Sequence, residues 1–154
     1  MLFSARFYLC ASAISGLLSV TLGAFGAHGL KKVVSPDMLA AYQTGVQYQF
    51  IHTLALLALA ILMIALAANP AVAAINVKNK LKWSANLMIV GMLLFSGSLY
   101  TMTFMSVTGG FPAWLGPITP IGGLTFIMAW ILLAAVAFKL PADQFAAEKL
   151  PVEK

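Results

Sequence analysis

Charged residues divide this 154-residue chain into three long stretches that contain no charge at all. The stretches hold 24, 40 and 56 residues and lie between Arg6 and Lys31, between Asp37 and Lys78, and between Lys82 and Lys139. A membrane-spanning helix needs about 20 predominantly apolar residues, each adding 1.5 Å. The pattern therefore predicts one span, one span and two spans, which makes an all-α fold, a four-transmembrane-helix bundle.

Turn and cap residues set the expected boundaries of these helices. Ser35, Pro36 and Asp37 are typical of a helix start, because serine caps, proline fits the first helical position and aspartate suits the positive helix end. The spans are predicted at about residues 6–27, 45–68, 83–107 and 119–139 within a membrane domain of residues 1–140. A helix from Pro36 to Ala68 would be about 50 Å long, so residues 36–44 are predicted as an interfacial helix. Residues 141–154 are predicted as a cytoplasmic tail.

The lysines and arginines predict the orientation in the membrane. Arg6, the middle loop and the C-terminal tail carry seven basic residues, whereas the other connections carry only Lys31 and Lys32. Because basic residues concentrate in cytoplasmic segments, we expect both termini in the cytoplasm. The expected location is a bacterial inner (plasma) membrane, crossed several times by the chain. The first apolar run is expected to stay as a helix, since a lone Arg6 is a poor basic region for a cleaved signal peptide.

The overall composition agrees with this topology and excludes several function classes. Hydrophobic residues make up 62% of the chain and charged residues 8%, against about 25% charged in a soluble domain. The net charge of +5 is explained by topology, and no basic patch with surface aromatics predicts nucleic-acid binding. Cys10 is the single cysteine, so no intrachain disulfide forms, and we expect it to be a buried small hydrophobe.

Polar residues gather at the end of the helices that this orientation makes the outer one. The candidate pocket residues are His28, Gln47, Tyr48, His52, Ser96, Ser98, Tyr100 and Thr119. Polar groups in lipid need partners because no water satisfies them there. The sequence therefore predicts a polar pocket, or a hydrogen-bonded cluster, in the outer half of the bilayer.

His52 is the ionisable residue that lies well inside a predicted span. An intramembrane ionisable residue is by default a functional-site hypothesis. The structural alternative, which we favour, is that His52 hydrogen-bonds Tyr100, a serine or a backbone carbonyl and fixes the helix register. Both interpretations stay open at this point.

Small residues form a candidate helix-packing face on the first helix. Ser15, Ser19 and Gly23 are spaced by four and share one side, where another helix backbone can approach closely. The partner helix belongs either to this chain or to another one.

The chain offers little catalytic chemistry, and it favours a non-enzymatic role. A metal centre needs three or four ligands from histidine, cysteine, aspartate or glutamate, yet only His28 and His52 are expected near each other on the outer side. A bis-histidine haem is disfavoured because His28 sits in a turn. A serine hydrolase would need an acid within a span, and none is present. No cofactor is predicted.

Four motifs in the right order carry a resemblance to a known family. They are Gly23-Ala-Phe-Gly-Ala-His28-Gly, Gln43-Thr-Gly-Val-Gln-Tyr48-Gln-Phe-Ile-His52, Phe95-Ser-Gly-Ser-Leu-Tyr100, and Thr119-Pro-Ile-Gly-Gly123 followed by Trp130. In these the chain resembles the YgdD-like proteins, small bacterial inner-membrane proteins grouped as "domain of unknown function 423", with relatives in mitochondria-bearing organisms. The resemblance covers about residues 7–138 and implies a four-helix inner-membrane protein without implying an activity. The long middle loop, 69–82, and the tail are not features that we carry over from the family.

Three hypotheses for the function follow. The favoured one is an accessory or interaction subunit, associated with a membrane-protein partner or forming a homo-oligomer in the lipid bilayer. The alternative is a binding or transport module for a lipid- or quinone-like ligand in the outer-half pocket. The third is an enzyme such as a haem or metal redox protein.

Overall fold

The computed structural model describes residues 2–68 and 77–140, and these residues form helices and the turns between them. Helix α1 spans Leu2–His28, α2 Pro36–Ala67, α3 Lys78–Ser106 and α4 Ile118–Ala137. Short 3₁₀ turns at Leu30–Lys32 and Ala113–Leu115 precede α2 and α4. Within the described ranges, four helices are long and apolar enough to cross a membrane and no strand occurs. The predicted all-α, four-span fold is therefore confirmed, while the side on which the termini lie remains a prediction.

Helix α2 begins with the capping residues that the sequence indicated. The Ser35 hydroxyl accepts a hydrogen bond from the Met38 backbone N–H at 3.3 Å, and Pro36 occupies the first helical turn. The helix then continues without a break to Ala67. The stretch predicted as interfacial, 36–44, and the second predicted span, 45–68, thus belong to one helix, and the membrane surface along it stays a prediction. The centre of the middle loop, 69–76, and the predicted tail, 141–154, lie outside the described residues.

Helix α3 begins at Lys78, earlier than the sequence analysis placed it. The three lysines of this segment predicted a loop as far as Lys82. In the structure they lie on the first turns of the helix, whose other face is buried, with Val77 at 2% exposure and Leu81 at 0%. A lysine stem follows an apolar surface while its charged end stays in water, so lysines at a helix end do not require a loop.

Helices α2 and α3 lie at the centre of the bundle, between α1 and α4. Helix α1 packs along one side of α2, and α3 packs against both α2 and α4. The contact between α3 and α4 is close, since a Cβ added at Gly122 would lie 2.4 Å from the Phe95 backbone nitrogen. The Ser84 hydroxyl also donates to the Ala129 carbonyl at 2.8 Å across these two helices. The tight pairs are thus α1 with α2 and α3 with α4, and α1 approaches α3 only in places.

Cys10 corrects one expectation about α1. It is exposed rather than buried. The apolar run around it suggested a core position, but α1 packs mainly along one side, and most of its remaining surface is left for lipid. In a membrane protein an apolar neighbourhood in sequence therefore does not distinguish the core from the lipid-facing surface.

Candidate functional site

A hydrogen-bonded chain of side chains joins α1, α2 and α3 inside the bundle. The Gln49 amide, 7% exposed, donates to the Ser15 carbonyl at 3.1 Å, and the Tyr100 hydroxyl donates to Gln49 Oε1 at 2.8 Å. Ser15 Oγ and Thr53 Oγ1 share a hydrogen bond of 2.6 Å. Thr53 in turn donates to the Met92 sulfur at 3.7 Å. We call these residues, Ser15, Gln49, Thr53, Met92 and Tyr100, the polar floor.

Two backbone features bring Tyr100 to this floor. Residues Met92–Ser96 of α3 are π-helical, a rare conformation that shifts the register of the following residues and occurs frequently at functional sites. On α2, a Cβ at Gly45 would lie 2.9 Å from the Tyr100 ring, so a larger residue at position 45 would displace the ring. The π-helical segment also contains Ser96, whose hydroxyl is buried without a hydrogen-bond partner among the described residues.

A groove of about 430 Å³ lies over the polar floor, between α1 and α3. Its lining residues are Ala11, Ile14, Ser15, Leu18, Leu22, Gln49, Leu56, Ile89, Met92, Leu93, Gly97 and Tyr100. The groove follows α1 from Ala11 to Leu22, a rise of about 16 Å at 1.5 Å per residue.

Contacts between α1 and α3 bound the groove at both ends. Beyond the Ala11 end, the Tyr8 hydroxyl donates to the Asn86 side chain at 2.8 Å. Beyond the Leu22 end, the rings of Phe25 and Phe104 approach to 6.1 Å between centroids. The groove therefore opens sideways, towards the lipid that surrounds a membrane helix bundle.

His52 lies on a different side of α2, against α4. Its Nδ1 lies 2.8 Å from the Tyr48 carbonyl, and the Trp130 indole N–H donates to its Nε2 at 3.3 Å. A carbonyl only accepts and an indole N–H only donates, so this arrangement fits a neutral imidazole with its proton on Nδ1. The ring also stacks on Phe126, with centroids 3.5 Å apart. Of the partners that the sequence left open for His52, the structure supplies a carbonyl, while Tyr100 bonds Gln49.

The structure separates the other predicted pocket residues. Ser98 and Thr119 share a hydrogen bond of 2.7 Å between α3 and α4. His28 and Gln47 are exposed, and Tyr48 is 40% exposed. Of the eight candidate pocket residues, only Tyr100 lines the groove. The groove also lies along the middle of α1 and not at its His28 end, where the sequence predicted a pocket.

Gln49 and Thr53 were absent from the candidate pocket, although a signal for them exists in the sequence. They continue a stripe of buried residues on α2 that is spaced by three and four and runs through Tyr42, Gly45, Gln49, Thr53 and Leu56. A polar residue on the buried stripe of a membrane helix must find a partner inside the protein. The sequence analysis favoured Gln47 in place of Gln49, although Gln47 faces away from this stripe.

The candidate packing face of α1 lies against α2 of the same chain. Ser19 is 2% exposed, and a Cβ at Gly23 would meet the Val46 side chain at 3.4 Å. Ser15 bonds Thr53, as described above. The small residues thus serve packing between α1 and α2, which leaves this face covered.

The described residues contain no group of three or more histidine, cysteine, aspartate or glutamate side chains that could hold a metal ion. The polar floor consists of neutral hydroxyl, amide and thioether groups. Such groups hold helices together or contact a neutral ligand, and they provide neither a base nor a charged clamp for a substrate.

The chain matches a family model described as "protein of unknown function (DUF423)" over residues 22–123. It is 38% identical to the UPF0382 membrane protein YwdK of Bacillus subtilis, over 87% of this chain and 98% of that protein. It is 36% identical to the UPF0382 inner membrane protein YgdD of Escherichia coli, over 89% of this chain and 93% of the relative. A UPF0382 membrane protein of Schizosaccharomyces pombe is 38% identical over 77% of this chain and 91% of its own length. No solved structure matches the chain significantly.

These matches confirm the resemblance that the four motifs carried. Together with the four apolar helices, they agree with the predicted multi-pass location in a bacterial inner membrane. The protein's environment is therefore the lipid bilayer.

Proposed function

The chain belongs to the DUF423 family of membrane proteins, and from that premise we propose that it binds the hydrocarbon chain of an amphipathic lipid or quinone within the membrane. The groove between α1 and α3 carries this proposal. Small-molecule sites are mostly apolar concavities of about 300–1,000 Å³ with a few placed polar groups. At about 430 Å³, with apolar walls over a polar floor, the groove fits that description.

The volume of the groove favours a chain over a helix. A helix about 10–12 Å across would fill about 1,300–1,800 Å³ over the same length, which is roughly three to four times the groove volume of about 430 Å³. A single alkyl or prenyl chain is thin enough to lie along the groove, because its carbon atoms pack at about 4 Å from those of the walls. A docking helix could insert only a row of side chains.

The hydrogen bonds of the polar floor support apolar recognition. The Gln49 amide donates within the protein, and its oxygen accepts from Tyr100. The hydroxyls of Ser15 and Thr53 bond each other. Because these groups already have partners, a ligand over them gains mainly from apolar contact, whereas a polar head group finds few free donors. The ligand's chain is therefore the part that the groove recognises.

The proposal also includes the topology. Residues 1–140 form the membrane domain, residues 141–154 are a tail, and both termini lie in the cytoplasm, because seven of the nine basic residues fall on that side. The accessory-subunit hypothesis gains nothing from the small-residue face of α1, since α2 covers it.

Photo-crosslinking in native membranes tests the proposal. A photoreactive residue replaces Leu93, which lines the groove and is 70% exposed, and the matched control replaces Leu124 on α4, which is 62% exposed. Both positions face lipid, so bulk lipid labels both. We expect one class of lipid or quinone to be enriched at position 93 over position 124, as measured by mass spectrometry of the adducts.

A variant that fills the groove makes the test specific. Gly97 lines the groove, and a Cβ added there meets no atom within 4 Å, so Gly97→Leu projects into the empty space. The enrichment at position 93 should then disappear, whereas Ala134→Leu on the exposed side of α4 should leave it unchanged. Identical adducts at positions 93 and 124 would show that the groove holds only bulk lipid and would refute the proposal.

A further inference from the structure

Two glutamines on α2 face away from the protein. Gln43 and Gln47 are one turn apart and exposed, and neither side chain has a hydrogen-bond partner among the described residues. The Gln49 amide, by contrast, is buried and bonded. On α2, with 100° per residue, Gln47 points about 160° away from Gln49. The two exposed amides are therefore independent of the groove between α1 and α3.

Gln47 lies inside the second predicted span, 45–68, and the length of α1 also puts it within the hydrocarbon. Arg6 and His28 are 22 residues apart, and the rise of about 33 Å between them matches the bilayer core of about 30 Å. Gly23 lies five residues, or about 7.5 Å, inside His28, and it faces Val46, the neighbour of Gln47. An amide at this depth has no water to bond, so it needs a partner from outside the chain.

A shallow groove beside the amides offers room for such a partner. It measures about 250 Å³ and is lined by Gly23, Tyr42, Gln43, Val46, Gln47 and Phe50. We call this surface the glutamine face.

We propose that the glutamine face is a dimer interface, at which a second copy of this chain docks and Gln47 bonds Gln47 of the partner subunit. A carboxamide carries both a donor and an acceptor, so two of them form a reciprocal pair. A two-fold axis brings the same residue of both subunits together, and dimers with this symmetry are the commonest oligomers. The face has no charge, so a charged partner gains nothing there.

Cysteine cross-linking in isolated membranes locates the interface. In a Cys10→Ser background, single cysteines replace Gln43, Gln47 or Phe50 in turn, and Ile131, 53% exposed on α4, is the control. A disulfide forms where Cα atoms approach to about 4.4–6.8 Å. We expect a cross-linked dimer from at least one position of the glutamine face and none from position 131.

Dimerisation measured by energy transfer in vesicles tests the role of the amide. Gln47→Leu removes both hydrogen bonds between the two amides. At the average strength of interhelical bonds, this loss should raise the dissociation constant of the dimer about 8-fold. Gln47→Asn keeps an amide and should lose less, and Thr101→Leu should change nothing, because the Thr101 hydroxyl bonds its own helix. A chain that stays monomeric, a Gln47→Leu variant that dimerises as the parent does, or a different polypeptide cross-linked at this face would each overturn the proposal.

Discussion

Replacing Gly122 by alanine measures how closely α3 and α4 pack. The added Cβ would lie 2.4 Å from the Phe95 backbone nitrogen and 2.8 Å from its Cα. Carbon atoms pack best at about 3.5–4.0 Å, and a backbone cannot swing aside as a flexible side chain can. The two helices must therefore separate by about 1 Å, which disturbs the neighbouring contacts, including the stacked rings of Phe126 and His52.

The magnitude follows from two opposing effects. Overpacking a well-packed core costs about 1–3 kcal/mol, whereas alanine gains up to about 1 kcal/mol over glycine within a helix. We expect Gly122→Ala to lower the free energy of unfolding by about 1–2 kcal/mol. Gly97→Ala is the matched control, because its Cβ meets no atom within 4 Å. This variant should leave the free energy of unfolding unchanged or raise it by up to about 1 kcal/mol.

Reversible unfolding in mixed micelles, titrated with a denaturing detergent and followed by circular dichroism, provides the comparison. The two variants carry the same chemical change at two helix positions, so any difference reports the space around each glycine. Equal shifts for the two alanines, or a Gly122→Ala variant more stable than the parent, would refute the packing described between α3 and α4.

Three further predictions concern the polar contacts and the topology. Gln49→Leu removes bonds to Ser15 and Tyr100 and should lower the free energy of unfolding by about 1 kcal/mol in the same titration, since interhelical bonds average about 0.6 kcal/mol each. Trp130→Phe leaves His52 Nε2 without its donor and should lower the free energy of unfolding by about 0.6 kcal/mol. Trp114→Phe, at an exposed position, should leave the free energy of unfolding unchanged, and equal effects of the two variants would contradict the bond between Trp130 and His52. Green fluorescent protein fused after Lys154 should fluoresce in cells, and a fusion after Gly110 should not, because this reporter fails to fold when it is exported unfolded. The reverse pattern would show that the termini lie on the opposite side of the membrane.

Charge spacing predicted the number of spans because the bilayer imposes a simple rule on sequence. Charges are excluded from its hydrocarbon core, so stretches without charge mark the helices. The sequence also predicted the start of α2 correctly, because Ser35, Pro36 and Asp37 determine a helix start through local contacts. The same rule placed the start of α3 too late, because the lysines lie on the first turns of a helix that also buries Val77 and Leu81.

The site was harder to predict because it depends on how each helix is rotated. All sides of α2 are apolar enough for lipid, so hydropathy alone does not separate Gln49, which faces the bundle, from Gln47, which faces out. The π-helical segment Met92–Ser96 also shifts the residues of α3 that follow, and no residue pattern in α3 indicated it. Of the polar residues that the sequence singled out, the structure places Tyr100 at the groove, His52 against Trp130 and Ser98 against Thr119, and it leaves His28 and Gln47 exposed.

Native mass spectrometry of the protein, extracted gently from its own membrane, tests the central claim most directly. We expect a retained molecule of one lipid or quinone class, present in a fixed ratio to the chain and lost in the groove-filling variant Gly97→Leu. A bare polypeptide mass, or a mixture of lipids that Gly97→Leu leaves unchanged, would contradict binding in the groove between α1 and α3.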